Sequence, residues 1–365
     1  MKRLSVIVPG YNTRKEWWVR CVNSLVKALT AEDEIIVVDD GSDVKVDGEW
    51  WAVDGGGEAV CEIKVERLEK NSGLPTARNR GMDVATGRFV TFVDSDDEIR
   101  EGTYDRCIAR MEETGADLAV YGIQSFFMDL GLTIRDIPED KYYGELTPRD
   151  VAYLVKRRLF YYMCNKVFRR SFIDAHQMRV DPEGVPCEDA IFNVGCVVNR
   201  AKWVTVAFCG YKYYRYDGTI VSSYAPTLVA GQRKCSAAWK AYKDATPGAY
   251  EALGTYDERS EHEIARNQWT NIWRRRSPYT LAAKWRWLKA NEQTLRFAHW
   301  PPATNHQLPA TNHQPPPTSL LWRLKEFVRK GIFMFGRAHF YIKPIRKWWQ
   351  VRCNERRGAK FEKIG

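Results

Sequence analysis

Along the first 125 positions the apolar residues fall into short continuous runs, separated by stretches in which they recur every three to four positions. The runs LSVIV (Leu4–Val8), EIIVV (Glu34–Val38), CEIKVERL (Cys61–Leu68) and RFVTFV (Arg88–Val93) read as strands, with DLAVYG (Asp117–Gly122) completing the series. Between them, the 3.6-residue period predicts helices over about Arg14–Leu29, Leu74–Ala85 and Thr103–Thr114. Strands that are apolar throughout, rather than alternating, are buried on both faces. This predicts an α/β fold with a mostly parallel sheet flanked by helices. From 126 to 224 the pattern is mixed, with helices expected over Pro148–Lys156 and from about Glu188, and a strand over Lys202–Tyr216. From 226 to 291 it is helical and rich in Trp and Arg. The expected organisation is a main domain over 1–225, a helical extension over 226–300, a Pro-rich linker over 301–318 and a C-terminal tail over 319–365.

Ligands of such sheets sit beyond the carboxyl ends of the strands. Chemistry-bearing residues collect there in this chain: PGYN (Pro9–Asn12) after the first strand, DDGS (Asp39–Ser42) after the second, and DSDD (Asp94–Asp97) after the fourth. DDGS alone suits a turn, since Asp, Gly and Ser all favour one. DSDD poses a harder problem. In an extended chain Asp94 and Asp96 share a face, about 7 Å apart along the backbone. Two unpaired carboxylates about 4 Å apart repel by roughly 4 kcal/mol at an effective dielectric of about 20. A compensating cation is expected. Arg88 and Arg100 are within reach in sequence, and a divalent ion with oxygen ligands, Mn²⁺ or Mg²⁺, fits better.

Composition narrows the class. The nine cysteines are irregularly spaced, with no C-x-x-C pair and no Cys/His ligand cluster, so reduced thiols in a cytoplasmic protein are expected. The first apolar run is too short for a signal sequence, and no apolar stretch reaches spanning length. The net charge of +10 is local: residues 318–365 hold 13 Lys/Arg against 3 Asp/Glu, and the rest of the chain balances.

The ordered set SVIVPGYN, EIIVVDDGS, NSGLPTARNRGMDVATGRFVTFVDSDD and CEDAIF resembles the successive signatures of family 2 glycosyltransferases, over about Leu4 to Tyr224. The resemblance implies a GT-A fold and an inverting enzyme that uses a nucleotide sugar. It implies that Pro9, Tyr11 and Asn12 line the nucleobase and ribose side, and that Asp40 accepts from a base N–H. That pairing favours uracil, hence a UDP-sugar, although thymine presents the same edge. Arg78 and Asn79 would lie near the donor phosphates or ribose. Asp94, Ser95 and Asp96 would form the D-x-D element, its two acids holding ribose and metal. Asp189 resembles the catalytic base, with Glu188 beside it, and Asn165 and Lys166 match a segment on the acceptor side. A helix-start acid stabilised by the helix dipole is the other reading of Asp189. Two departures stand out: Gly10 replaces a small aliphatic residue, and Val44–Glu62 has no counterpart.

The chemistry suits these residue types. Inverting transfer needs a base for the acceptor hydroxyl and positive charge at the departing diphosphate. Trp17, Trp18, Trp50 and Trp51 are expected to serve packing rather than sugar stacking. The hexamer PATNHQ occurs twice at a period of seven, a duplicated spacer rather than a metal site. In the tail, Leu320, Leu324, Phe327, Val328 and Phe335 form one helical stripe opposite Arg323, Glu326 and Lys330. A basic amphipathic helix of this kind suits an anionic membrane surface, so peripheral attachment to the inner face is expected, near a glycan or lipid-linked acceptor. No nucleic-acid-binding signature is present. The competing functional class is a catalytically silent GT-A domain acting as a membrane-attached assembly protein.

Overall fold

The computed structural model describes residues 1–46, 50, 60–128, 131–183, 185–216, 225–254, 264, 267–268, 271–272, 278–291 and 360–363. Strands β1 (Leu4–Gly10), β2 (Glu34–Asp39), β3 (Glu62–Arg67) and β4 (Phe89–Phe92) lie in the order β3-β2-β1-β4, all parallel. β1 and β2 are almost wholly buried, which is why their sequences are continuously apolar. Beyond β4 the sheet becomes mixed. The long strands β6 (Leu118–Phe127) and β10 (Lys202–Arg215) are parallel partners. Between β4 and β6 lies β9 (Lys166–Arg169), antiparallel to both. β5 (Glu98–Ile99) and β8 (Lys141–Glu145) pair antiparallel with β10, and β7 (Leu132–Asp136) with β6.

The parallel arrangement expected from the apolar runs thus holds for the N-terminal half. The antiparallel strands were not legible because they are two to five residues long, and β8 is largely exposed. At the far edge β11 (Lys360–Lys363) pairs antiparallel with β7. The duplicated Pro-rich spacer and the amphipathic stripe lie outside the described residues. No helix among the described residues is long and apolar enough to cross a membrane.

Helices cover both faces. Trp18, Cys21, Val22 and Leu25 of α1 (Lys15–Ala28) and Tyr104, Cys107, Ile108 and Met111 of α3 (Thr103–Thr114) bury one side. On the other side lie α2 (Leu74–Val84), α4 (Pro148–Lys156), α6 (Glu188–Val198) and α7 (Leu228–Ala245). Each fully buried Leu, Val, Ile or Phe contributes about 1.5–3 kcal/mol of transfer free energy. Short helices α5 (Arg170–Ala175), α8 (Ala249–Leu253) and α9 (Leu281–Ala290) complete the set. The eight cysteines among the described residues are all free thiols.

Two details fix the end of β1. A Cβ on Gly10 would stand 2.4 Å from Trp18 Cζ2 and 2.7 Å from Ser95 Oγ, so the aliphatic residue expected here has no room. The departure at Gly10 therefore matches the indole of Trp18. At the opposite end, fully buried Glu34 accepts from Ser5 Oγ (2.6 Å), Lys64 Nζ (2.7 Å) and both the N–H and the hydroxyl of Thr86 (2.7 and 2.8 Å). One carboxylate staples β1, β2, β3 and the turn before β4.

Candidate active site

The site is assembled at the carboxyl ends of β1, β2 and β4, where three loops meet. Asn12 exchanges hydrogen bonds with Asp43, donating to Oδ2 (3.0 Å) and accepting from its N–H (2.9 Å), while Asn12 N–H donates to Ser42 Oγ (2.9 Å). This closes the PGYN loop onto the DDGS loop. Pro9 is buried at the end of β1 and Tyr11 is 45% exposed above it. Ser95 is buried and shares a hydrogen bond with Thr13 Oγ1 (2.7 Å). Asp39 accepts from Ser42 N–H (2.9 Å) and is paired with Arg67. Asp40 is buried, and its carboxylate receives the N–H groups of Ser72 (2.7 Å) and Gly73 (2.8 Å) at the start of α2. Burial raises the Asp40 carboxyl above its ordinary range, and those two N–H groups pull the other way.

Arg78 supplies the cation that the acidic cluster requires. Its guanidinium is 2% exposed and reaches three carboxylates: Asp189 Oδ1 at 2.5 Å, Asp94 Oδ1 at 3.1 Å and Glu188 Oε1 at 3.5 Å. Burial alone would lower its pKa. The three acids overcome that and raise it, so Arg78 is always charged. Arg88 and Arg100, the cations within reach in sequence, point elsewhere: Arg88 pairs with Glu112 and Arg100 bonds to Gln124. The resemblance implies a place for Arg78 near the donor phosphates or ribose; in the fold its guanidinium is spent on the three acids. Asn79 is also turned away. Its amide donates to Val180 O and accepts from Val180 N–H, both at 2.9 Å, so it braces α2 against the segment before α6.

The remaining acids of DSDD have distinct environments. Asp94 keeps 30% of its side chain exposed. Burial raises its carboxyl, Arg78 lowers it, and Asp189 raises it again. Asp96 is pushed up to about 6, first by burial and then by Asp94. Asp97 is fully buried and accepts from Tyr211 Oη and Tyr214 N–H, both at 2.8 Å. Burial drives the Asp97 carboxyl well above its ordinary range. Asp97 thereby ties the turn to β10, and Tyr211 Oη in turn accepts from Asp94 N–H (3.1 Å). Arg20 of α1 holds the other side: it donates to the Asp96 carbonyl and to Tyr216 Oη (3.1 Å), and lies 4.1 Å over the Tyr214 ring.

Asp94 and Asp96 offer carboxylate oxygens, one of which, Asp94 Oδ1, is already engaged by Arg78. That set fits a hard divalent cation that takes its other ligands from water and a diphosphate. Among the described residues no group of three or more His, Cys, Asp or Glu is gathered for a metal, so the protein alone would not complete a coordination shell.

Asp189 lies in the first turn of α6. Its Oδ1 is held by Arg78 and its Oδ2 accepts from Met163 N–H (3.1 Å), leaving the side chain 24% exposed. Neighbouring Glu188 is 7% exposed, and its Oε2 has no hydrogen-bond partner. Burial, then Asp189, raises the Glu188 carboxyl to about 7. Asn165 and Lys166 do not face the cleft. Both are fully buried beneath the 159–163 segment, and burial draws the Lys166 ammonium down to about 7. Sequence reasoning missed Arg20, Tyr211 and the Met163 N–H. The tyrosine had a signal in the alternation of β10; a backbone donor has none.

Residues 5–176 match the family model described as Glycosyl transferase family 2. The chain is 30% identical over 226 residues to the uncharacterized glycosyltransferase YibD of Escherichia coli K12, covering 60% of this chain and 63% of that one. It is 29% identical over 216 residues to the poly(ribitol-phosphate) beta-N-acetylglucosaminyltransferase TarS of Staphylococcus aureus, covering 58% of this chain and 35% of that one. The chain thus spans less than two thirds of these relatives' length. The crystal structure of S. aureus TarS 1–349 in complex with UDP-GlcNAc superposes with a TM-score of 0.56 at 21% identity, covering 80% of each chain. The fold is the GT-A type that the sequence predicts.

Proposed function

We propose that the chain, whose residues 5–176 match the Glycosyl transferase family 2 model, moves a sugar, with inversion, from a UDP-sugar to a hydroxyl of a glycan or lipid-linked acceptor. Cell-surface polysaccharide synthesis is the process this chemistry suits. The observation that carries the reading is the clamp of Arg78 on both Asp189 and Asp94. It joins the acid suited to a base and the acid suited to the donor in one hydrogen-bonded cluster.

In this reading the base edge of the nucleotide lies between Tyr11 and Asp40. Asp189 takes the proton from the acceptor hydroxyl as its oxygen attacks C1, and the C1–O bond to the diphosphate breaks with UDP departing. Asp94 and Asp96 would hold Mn²⁺ or Mg²⁺, which supplies positive charge to the leaving diphosphate. Arg78 keeps Asp189 aimed. TarS, by its name, transfers N-acetylglucosamine, and its structure holds UDP-GlcNAc. Those two facts support a UDP-linked hexose or N-acetylhexosamine here. The basic residues after 318 would hold the protein against the anionic inner face of a membrane.

Release of UDP from a panel of UDP-sugars, with Mn²⁺ or Mg²⁺, tests the activity. Asp189→Asn keeps shape but cannot take a proton, so turnover should fall by about 10²–10⁴-fold while UDP affinity is unchanged. Turnover within a few-fold of the parent would instead mean that Asp189 is not the base and serves as a first-turn acid at the α6 dipole.

A further inference from the structure

Lys166 and Asn193 are fully buried, lie outside the cleft and are left unused by the transfer chemistry above. Lys166 Nζ donates to the carbonyls of Leu159 (3.0 Å), Phe160 (3.0 Å) and Tyr162, and to Asn165 Oδ1 (3.0 Å). Asn193 Nδ2 donates to the carbonyls of Phe160 (2.8 Å), Tyr161 (3.1 Å) and Tyr162 (3.4 Å). Four consecutive carbonyls, from 159 to 162, are thus drawn inward onto two side-chain nitrogens. A peptide unit whose carbonyl points one way presents its N–H the other. The N–H that emerges from this turn is that of Met163, and it donates to Asp189 Oδ2. Asn193 lies four residues after Asp189 on α6, so the two share a helix face. The helix that carries the acid also carries part of the brace for the backbone that holds it.

We propose that Lys166 and Asn193 are positioning residues for the base: they shape segment 159–163 so that Met163 N–H fixes the second oxygen of Asp189. The inference rests on Asp189 being the base. With Arg78 on Oδ1 and Met163 N–H on Oδ2, both carboxylate oxygens have a fixed donor and the remaining lone pairs are aimed at the acceptor. An ammonium suits the task because its three N–H groups need acceptors and a buried turn of carbonyls needs donors. Removing it frees the turn, and a misplacement of about 1 Å at a reacting group can cost about 10²-fold.

The test uses the full chain, the UDP-sugar that turns over fastest in the panel above, and UDP release as the readout. Lys166→Met should lower kcat by about 10²-fold with donor KM and UDP affinity unchanged. In an Asp189→Asn background the same change should cost nothing further, because the two residues act as a unit. Wild-type kcat in Lys166→Met, or an equal loss in both backgrounds, overturns the positioning role. Asn193→Ala removes three of the carbonyl bonds without removing a charge, and carries the same test where Lys166→Met does not fold. If Asp189→Asn alone retains turnover, the base assignment has failed, and the positioning role falls with it. If Asp189→Asn is inactive and Lys166→Met and Asn193→Ala are normal, only the positioning role has failed.

Discussion

Arg78 Nη1 donates to Asp189 Oδ1 at 2.5 Å across 111 positions of sequence, from α2 to α6. The same guanidinium reaches Asp94 at the end of β4, so three elements of the fold meet on one buried cation.

Replacing that cation should be costly. Arg78→Met leaves Asp94, Glu188 and Asp189 without their counter-charge in a largely buried site. Breaking a buried pair costs about 3–5 kcal/mol, and the lower end applies because solvent reaches part of Asp94 and Asp189. Urea denaturation should show a clear fall in the midpoint. A midpoint equal to the parent's would mean that the three acids need no compensation and that the clamp is incidental.

UDP should bind more tightly with Mn²⁺ or Mg²⁺ than in EDTA, and Asp96→Ala should remove most of the gain. Asp96 lacks the Arg78 contact that occupies Asp94, so its loss separates metal from clamp. Calorimetry showing equal UDP affinity with and without metal would rule out the metal role of the D-x-D acids.

Acid should weaken the Glu34 staple. Its folded pKa is lowered to about 2 from 4.5, chiefly by Lys64, Ser5 and Thr86 acting against burial. A depressed acid stabilises the fold above its unfolded pKa and loses that contribution as pH falls from about 4.5 towards 2. The shift corresponds to at most about 3 kcal/mol. Denaturation of Glu34→Gln and the parent at pH 6 and pH 3 should show the stability gap narrowing at the lower pH. A gap that is constant across this range would mean that the carboxylate charge contributes nothing.

Glutamine at Arg323, Arg329, Lys330, Arg346 and Lys347 should release the protein from anionic vesicles, since each cation near such a surface contributes about 1 kcal/mol. These substitutions leave β11 intact, so the sheet edge on β7 is undisturbed. High salt should weaken binding of the parent in the same assay. Co-sedimentation of the variant as complete as the parent's would mean that another surface makes the attachment.

The parallel half of the sheet was legible because β1, β2 and β4 are buried on both faces and their sequences show it. The acids at their ends followed from the same logic. The partners of those acids were not legible. Arg78 sits in a helix whose sequence places it equally well beside phosphates or beneath carboxylates, and only packing decides. Asn79 and Lys166 carry polar groups suited to a substrate, yet both satisfy main-chain groups that a sequence does not display. Gly10 was legible as a departure, while its reason lies in Trp18, eight residues on and one layer away.

β9 runs against its neighbours, so it brings its entrance to the end of the sheet where β1, β2 and β4 make their exits. The two walls of the cleft are therefore fed from opposite chain directions and share no connecting loop. The wall before β9 is tied into the core: Leu159, Phe160, Met163 and Asn165 are all fully buried there. A change of length between α4 and β9 would therefore be felt at the Met163 N–H that holds Asp189, on the far side of the cleft from the nucleotide loops.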